Sequence, residues 1–287
     1  MAADLEQLKR ARRAARALYR RARWQHWLGR RERALALCHQ ALEQADYSRA
    51  YSLMSRLALP GEDYFHVLGR IHRYLKPRTY LEIGVSRGRS LEQVLPGTRV
   101  LGVDPAPRLA RSPGANVRIF TLTSDEFFAR HDVRAELGGA PVELAFIDGL
   151  HRFEYALRDF LNIERCCAPH SVILMHDCYP LDERTARREQ VTGFWSGDIW
   201  RLQLLLREQR PDLTVRTIAT PPTGLGVVLN PNPASRSLAE RLDALTSEYL
   251  AKDFAVLAGR QPQALGLVPN RWPQIRALLD QRAQPAR

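Results

Sequence analysis

Between residues 79 and 229 the sequence alternates short apolar runs with segments that have helical spacing. Several runs are apolar throughout, which is typical of strands covered on both faces. Alternating strands and helices predict a doubly wound, mostly parallel, Rossmann-like α/β sheet. The seven predicted strands are Thr79 to Gly84, Val100 to Asp104, Val117 to Thr121, Val142 to Asp148, Ser171 to Asp177, Leu213 to Ala219 and Gly224 to Leu229. The predicted helices of this region are Tyr64 to Tyr74, Ser90 to Val94, Ser124 to Arg130, Phe153 to Cys166 and Asp198 to Glu208.

The last two predicted strands are separated only by Thr220-Pro221-Pro222-Thr223. A parallel crossover needs a much longer connection, so these two strands are expected to pair as an antiparallel hairpin. The seven-stranded sheet therefore has an antiparallel last strand.

The regions on either side of the predicted sheet have apolar residues at helical spacing. Together with the sheet region they divide the chain into three predicted parts. Residues 1–58 predict a basic helical hairpin, interrupted at Gly29, whose second half resembles one tetratricopeptide unit. Leu59-Pro60-Gly61 marks the expected boundary with the central domain, residues 59–232. Residues 233–287 are expected to form a C-terminal helical extension.

The composition indicates a globular protein of a reducing compartment. No run approaches the roughly 18 apolar residues of a membrane span, and charges stand where a signal peptide would be apolar. The four cysteines lack C-x-x-C spacing. Vicinal Cys166 and Cys167 are interpreted as buried residues, with a redox or metal pair as the alternative. A cytoplasmic location is expected.

The net charge of +12 is concentrated at the N-terminus. Residues 1–33 hold eleven Lys and Arg residues against three acidic ones, so the rest of the chain is only mildly basic. Only three of the 43 basic residues are Lys, a skew that GC-rich codon usage explains as well as phosphate binding does. The charge is therefore weak evidence for a nucleic-acid partner.

A glycine-containing turn follows the first predicted strand, in the segment Glu82-Ile83-Gly84-Val85-Ser86-Arg87-Gly88. Glycines at such a turn let backbone N–H groups approach a ligand closely. Asp104 ends the next strand, 20 residues after Gly84, where a carboxylate can accept hydrogen bonds from ribose hydroxyls. The third glycine of a dinucleotide site is missing. The segment predicts a nucleotide-binding cradle.

Acidic and imidazole side chains follow the fourth and fifth predicted strands. Asp148 and His151 follow the fourth strand, and His176 and Asp177 end the fifth. Adjacent strands lie about 4.8 Å apart, so side chains leaving their ends can converge on one volume. A cradle beside such residues indicates catalysis.

The pattern Glu82-x-Gly84-x-x-x-Gly88 resembles the first motif of class I S-adenosylmethionine-dependent methyltransferases. The resemblance implies that this turn holds the methionine part of the cofactor and that Asp104 binds the ribose. Ser86 stands where many members have a second glycine. Ser124 and Asp125 match the adenine-side segment more loosely, and Asp148 is also assigned to the cofactor site.

Residues 78–230 resemble a subgroup, similar to methyltransferase family 24, that includes catechol-type and sugar or natural-product O-methyltransferases. The resemblance implies Mg²⁺ or another divalent metal at Asp148 and Asp177, with His176 or Cys178 at the third ligand position. It also implies His151 as general base, with Asp148 and His176 in supporting catalytic roles. Trp195, in a segment rich in Gly and aromatic residues, is the expected substrate contact.

The expected activity is O-methylation of a hydroxyl on a small molecule or carbohydrate. Two alternatives stay open: an RNA or protein methyltransferase that uses the basic N-terminal helices, and a non-catalytic cofactor-binding module. Each candidate side chain also has a structural interpretation, such as a solvated carboxylate for Asp104 or a capping imidazole for His151. A homo-oligomer is compatible with the sequence.

Overall fold

The computed structural model describes residues 2–284, and its N-terminal part contains three helices rather than the predicted two-helix hairpin. They are α1 (Ala2–Trp27), α2 (Arg31–Gln44) and α3 (Ser48–Ala58). The first break falls at Gly29, which has φ +72°. The second follows Ala45, whose extended backbone ends α2. The three helices bury a core of their own around Cys38, Leu42 and Met54. The assignment of residues 1–58 to a separate domain stays a prediction.

The central region is the predicted α/β sheet, with eight strands rather than seven. The strands are β1 (Thr79–Ile83), β2 (Arg99–Val103), β3 (Val117–Phe120), β4 (Val142–Ile147), β5 (Cys167–His176), β6 (Thr214–Ile218), β7 (Leu225–Leu229) and β8 (Leu267–Val268). Their order in the sheet is β3-β2-β1-β4-β5-β7-β6-β8. Strands β1 to β5 pair in parallel, and β7 lies antiparallel between β5 and β6, as the short Thr220–Thr223 connection predicts.

Helices cover both faces of this sheet, which explains why several of its strands are apolar throughout. The remaining helices are α4 (Tyr64–Leu75), α5 (Ser124–Arg130), α6 (Val133–Glu136), α7 (Phe153–Cys166), α8 (Trp200–Gln209), α9 (Leu242–Leu250), α10 (Gln261–Ala264) and α11 (Trp272–Leu279). Helices α4 and α11 pack on one face, and α5, α7 and α8 on the other. The predicted helix Ser90 to Val94 is only a short 3₁₀ turn, Leu91–Gln93.

The C-terminal region adds an edge strand as well as helices. The two residues of β8 pair in parallel with β6, at Thr217↔Leu267 and Ile218↔Val268. A strand of two residues is too short for an alternating pattern to reveal it. The division between 59–232 and 233–287 therefore stays a prediction, although the sheet itself spans it.

None of the helices within residues 2–284 is long and apolar enough to cross a membrane. The four cysteines are free thiols, and Cys166 and Cys167 lie where α7 passes into β5.

Candidate active site

One cavity of about 820 Å³ lies at the carboxyl ends of β1, β2, β4 and β5. Ligands of open α/β sheets bind at this edge. The residues predicted from sequence as cofactor and catalytic residues line it, except Glu82 and Gly88. The lining includes Gly84, Ser86, Asp104, Ser124, Asp125, Asp148, His151, His176, Asp177 and Trp195.

The turn after β1 has the conformation that its glycines predict. Gly84 and Gly88 have φ values of +89° and +75°, and Ser86 shares this left-handed conformation at +48°. A Cβ on Gly84 would overlap the backbone carbonyl of Asp148. The turn can therefore pass this close to the end of β4 only with glycine at position 84.

Glu82 is a buried carboxyl group beneath this turn. It accepts hydrogen bonds from the hydroxyls of Tyr80 (2.8 Å) and Ser90 (2.5 Å). Burial raises the pKa of Glu82 to about 8, even though these two hydrogen bonds favour the ionised form. Glu82 stabilises the turn through its hydrogen bond with Ser90 and does not line the cavity.

Asp104 faces the cavity with its carboxylate fixed by the backbone. Its Oδ2 accepts from the N–H of Ser86 at 2.7 Å, and its Oδ1 accepts from the N–H of Ala106 at 2.8 Å. These two bonds join the turn after β1 to the turn after β2. The carboxylate is thus held at the position predicted for a ribose ligand.

Asp125 is bound to the protein by an ion pair at the start of α5. Arg158 donates to its two oxygens at 2.9 and 2.7 Å, and these hydrogen bonds lower the pKa of Asp125. Asp159, which sequence reasoning missed, lies beside Ser124 in the same wall. Burial raises its pKa to about 7. Nothing in the sequence pattern of α7 separates Asp159 from an ordinary surface carboxylate.

The residues after β4 and β5 form one Asp and His cluster. Ligand atoms of Asp148, His151 and Asp177 all lie within 4.8 Å of one another. His151 Nδ1 lies 3.1 Å from Asp177 Oδ2, and His151 Nε2 lies 3.6 Å from Asp148 Oδ1. His151 and Asp177 both have positive φ, +57° and +59°. Strained backbone at two non-glycine residues is more common at functional sites than elsewhere.

His176 joins the cluster from β5 and faces both carboxylates. Its Nδ1 lies 3.3 Å from Asp148 Oδ1 and 3.1 Å from Asp177 Oδ2, and its ring packs on Tyr64 of α4 at 4.0 Å. Burial alone would lower the pKa of His176, but Asp177 and Asp148 raise it to about 10. The two carboxylates thus favour the protonated form of His176.

The pKa values of Asp148 and of the two imidazoles are shifted by their charged neighbours. Burial would raise the pKa of Asp148, yet His176 and His151 hold it well below its usual range. Burial would likewise lower the pKa of His151, but the charge of Asp177 and the hydrogen bond with Asp148 raise it. The cluster thus favours the ionised form of Asp148 and the protonated forms of both imidazoles.

The donor set of this cluster fits a divalent cation. Nδ1 of His151 is buried and has no hydrogen-bond partner within the described residues, because its contact with Asp177 lacks hydrogen-bond geometry. Burying a nitrogen without a hydrogen-bond partner costs free energy. An ion bound between this nitrogen and the two carboxylates would remove that cost. Mixed nitrogen and oxygen donors suit Mn²⁺, Fe²⁺ or Zn²⁺ better than Mg²⁺, which prefers oxygen ligands. Cys178 lies outside the cluster, because its thiol faces the carbonyls of Met175 and His176.

Trp195 covers the cluster from the loop between β5 and α8. Its ring stacks on His151 with 5.4 Å between centroids, and its Nε1 donates to the carbonyl of Arg187 at 2.6 Å. Gly197 allows this approach, because a Cβ there would overlap the carbonyl of His151. Ser52, Tyr64 and Thr223 also line the cavity, and no motif in the sequence marks them.

The comparison with sequence families agrees with this arrangement. Residues 81–178 match a sequence family described as a methyltransferase domain. No curated protein matches the chain.

Two solved structures with similar folds are O-methyltransferases. TomG from Streptomyces achromogenes, involved in tomaymycin synthesis and solved with SAM, is 18% identical, with a TM-score of 0.46 over 63% of this chain and 88% of that one. The O-methyltransferase from Bacillus cereus, in complex with SAH, is 16% identical, with a TM-score of 0.41 over 62% and 87%.

The family match covers β1 to β5, together with the cradle and both arms of the Asp and His cluster. Over these residues the chain is therefore similar to methyltransferase domains.

Proposed function

We propose that this protein transfers a methyl group from S-adenosylmethionine to a hydroxyl of a small molecule or carbohydrate. One observation supports the proposal above the others: the cradle of Gly84 and Asp104 and the cluster around His151 open into the same cavity. A donor and an acceptor can therefore meet there.

In this proposal, the cofactor half of the cavity provides residues for the methionine, ribose and adenine parts of S-adenosylmethionine. The turn containing Gly84, Ser86 and Gly88, backed by Glu82, would hold the methionine part. Asp104 would bind the ribose hydroxyls, and Ser124 and Asp125 would lie beside the adenine. When bound, the cofactor supplies a methyl group activated by a positively charged sulfur.

His151 is the general base of this proposal. Its Nδ1 is buried against Asp177, so Nε2 is the nitrogen left to accept a proton from an acceptor hydroxyl. The Asp177 carboxylate, 3.1 Å from Nδ1, favours the protonated ring electrostatically. Removal of the proton makes the hydroxyl oxygen nucleophilic.

Asp148 and Asp177, with nitrogen from His151 or His176, would hold a divalent metal. Bound there, the ion would lower the pKa of an acceptor hydroxyl. The same two carboxylates raise the pKa of His151, so a cation that neutralises them would bring this pKa back toward neutrality. A cytoplasmic location and a homo-oligomeric state stay predictions.

The test measures binding and transfer separately. S-adenosylhomocysteine is titrated into the protein by calorimetry, and methyl-labelled S-adenosylmethionine is then offered with panels of catechols, phenols and sugars. We expect binding, and a labelled methyl ether in at least one panel. Label recovered only on nitrogen, in RNA or in protein would contradict the proposal.

The metal is tested with the same assay. Turnover is measured after chelation and after re-addition of Mg²⁺ or Mn²⁺, in the natural protein and in Asp148→Ala. Turnover by Asp148→Ala that is undiminished and insensitive to chelator would exclude the metal while leaving His151 as base.

A further inference from the structure

The loop of residues 178–199 lies between the N-terminal helices and the Asp and His cluster. It joins β5 to α8 and has no helix or strand of its own. Loops of this length inside a compact domain are usually functional. The contacts that fix the position of this loop therefore affect the neighbouring Asp and His cluster.

Two hydrogen bonds tie the loop to the N-terminal helices. The hydroxyl of Tyr51, on α3, donates to Asp182 Oδ2 at 3.0 Å. The backbone N–H of Gly193 donates to Asp46 Oδ2, just before α3, at 2.9 Å. Tyr51 is completely buried, so its hydroxyl depends on Asp182 for a partner.

Apolar contacts reinforce these bonds. The ring of Phe194 stacks on Tyr51 with 5.5 Å between centroids, and Leu181 packs on the same helical core. Within the described residues, Leu181 and Phe194 are the residues outside α1–α3 and their connections that join this core. The loop is therefore packed as part of the N-terminal helical unit.

The residue after Phe194 is Trp195, which covers His151. A fixed Phe194 restricts where Trp195 can lie, because consecutive Cα atoms are about 3.8 Å apart. Ser52, the neighbour of Tyr51 on α3, faces the cavity directly. A second loop is held in the same way, since the hydroxyl of Ser55 donates to the carbonyl of Pro222 at 2.6 Å.

We propose that the N-terminal helices are a working part of the acceptor site: through Tyr51 they position the loop that carries Phe194 and Trp195 over His151. Tyr51 is a positioning residue in this account. The inference rests on the proposed function and adds to it that α3 shapes the acceptor half of the cavity. Aromatic walls on this side suit a flat ring or the apolar face of a sugar.

The test compares two Tyr→Phe variants of the N-terminal unit. Tyr51→Phe removes the bond to Asp182 and keeps the ring that stacks on Phe194. Tyr47→Phe is the matched control, since its ring packs edge-on against Tyr19 at 5.4 Å and, within residues 2–284, no hydrogen bond joins its hydroxyl to the loop. Asp182→Ala would be less informative, because Asp182 also accepts from the N–H of Thr185 at 2.8 Å.

Hydrogen exchange of residues 181–197 and tryptic cleavage at Arg184 are the readouts. We expect Tyr51→Phe to speed both by about tenfold, the value of one hydrogen bond to a charged acceptor. Tyr47→Phe should match the natural protein. The affinity for S-adenosylhomocysteine and the exchange of residues 81–104 should be unchanged in both variants.

The outcomes separate the inference from the proposed function. If the natural protein binds S-adenosylhomocysteine but Tyr51→Phe and Phe194→Ala leave loop exchange unchanged, the inference is wrong. If the natural protein binds no S-adenosylhomocysteine, the proposed function fails whatever the loop does. With an acceptor in hand, Tyr51→Phe should raise KM for the acceptor and leave KM for the cofactor unchanged. An equal rise in the acceptor KM and the cofactor KM would show that Tyr51 has only a general structural role, and it would overturn the inference.

Discussion

The two halves of the cavity are built by different means. On the proposed cofactor side, Gly84 and Asp104 are held by turns that leave adjacent strands, and backbone hydrogen bonds fix the Asp104 carboxylate. On the proposed acceptor side, Trp195 is held by a loop that packs on helices far away in sequence. Tyr51 and Asp182 are 131 residues apart, and Asp46 and Gly193 are 147 apart.

This difference indicates that the halves can change independently. The cofactor side belongs to the sheet, so altering it also disturbs the fold. The acceptor side depends on a long loop and a helical unit with its own core, so it can vary while the sheet stays intact. Substitutions should therefore affect either cofactor binding or acceptor use, but rarely both.

The largest effect is expected at the cluster where the halves meet. His151→Gln removes the base, and turnover should fall between about 100-fold and about 10,000-fold. The affinity for S-adenosylhomocysteine should stay within error of the natural protein, as calorimetry would show. Loss of binding together with turnover would place His151 on the cofactor side.

A second substitution tests the cofactor side alone. Gly84→Ala forces a Cβ against the carbonyl of Asp148, and we expect about a 100-fold loss of S-adenosylhomocysteine affinity. Gly139→Ala is its control, because Gly139 has nearly the same φ, +86° against +89°, with no atom near its added Cβ. Equal losses in the two variants would mean that backbone strain alone is responsible.

Glu82 gives a pH-dependent prediction for the same side. Its pKa is about 8 in the folded protein, so the folded state binds the proton more tightly than the unfolded state does. Its contribution to stability is complete below its ordinary value of 4.5 and is lost as the pH rises through about 8. Across this window the unfolding free energy of the natural protein should fall relative to that of Glu82→Gln, by about 1.4 kcal/mol for each pKa unit between the folded and unfolded states.

Urea unfolding at pH 5 and pH 9 measures this difference. Asp125→Asn is a control of opposite sign, because Arg158 lowers the pKa of Asp125. The stability that Asp125 contributes is present above its ordinary pKa and is lost as the pH falls. A pH-independent gap between Glu82→Gln and the natural protein would show that Glu82 keeps an ordinary pKa.

The smallest effect is expected at the acceptor side. Trp195→Ala removes the ring that stacks on His151, and KM for the acceptor should rise about tenfold, the contribution of one aromatic stack. Trp195→Phe should recover most of this loss. Steady-state kinetics measures the acceptor KM of both variants. An unchanged acceptor KM in Trp195→Ala would show that Trp195 does not contact the acceptor.

The architecture of the proposed cofactor side could be predicted from sequence because local patterns determine it, whereas the roles of its residues stay predictions. Apolar runs locate β1, β2 and β4, and glycines mark the turn after β1. The bounds of α5 and α7 agree with the predicted Ser124 to Arg130 and Phe153 to Cys166. Asp148 and Asp177 come together because parallel strands end at one edge of the sheet.

The acceptor side could not be predicted because its contacts are not local. No spacing rule connects Tyr51 with Asp182, or Tyr64 with His176. The third-ligand position was open between His176 and Cys178, since alternate residues of a strand share a face. The left-handed conformation of Asp177, at φ +59°, breaks that alternation and turns the Cys178 thiol away.

A crystal structure of the protein with S-adenosylhomocysteine, grown with Mn²⁺, tests the central claim most directly. The account predicts ribose hydroxyls on Asp104, the sulfur facing the cluster, and space for an acceptor between His151, Phe194 and Trp195. Density for an ion at Asp148 and Asp177 would establish the metal. A ligand bound away from Asp104, or a Trp195 ring that leaves no path from the sulfur to His151, would contradict the account.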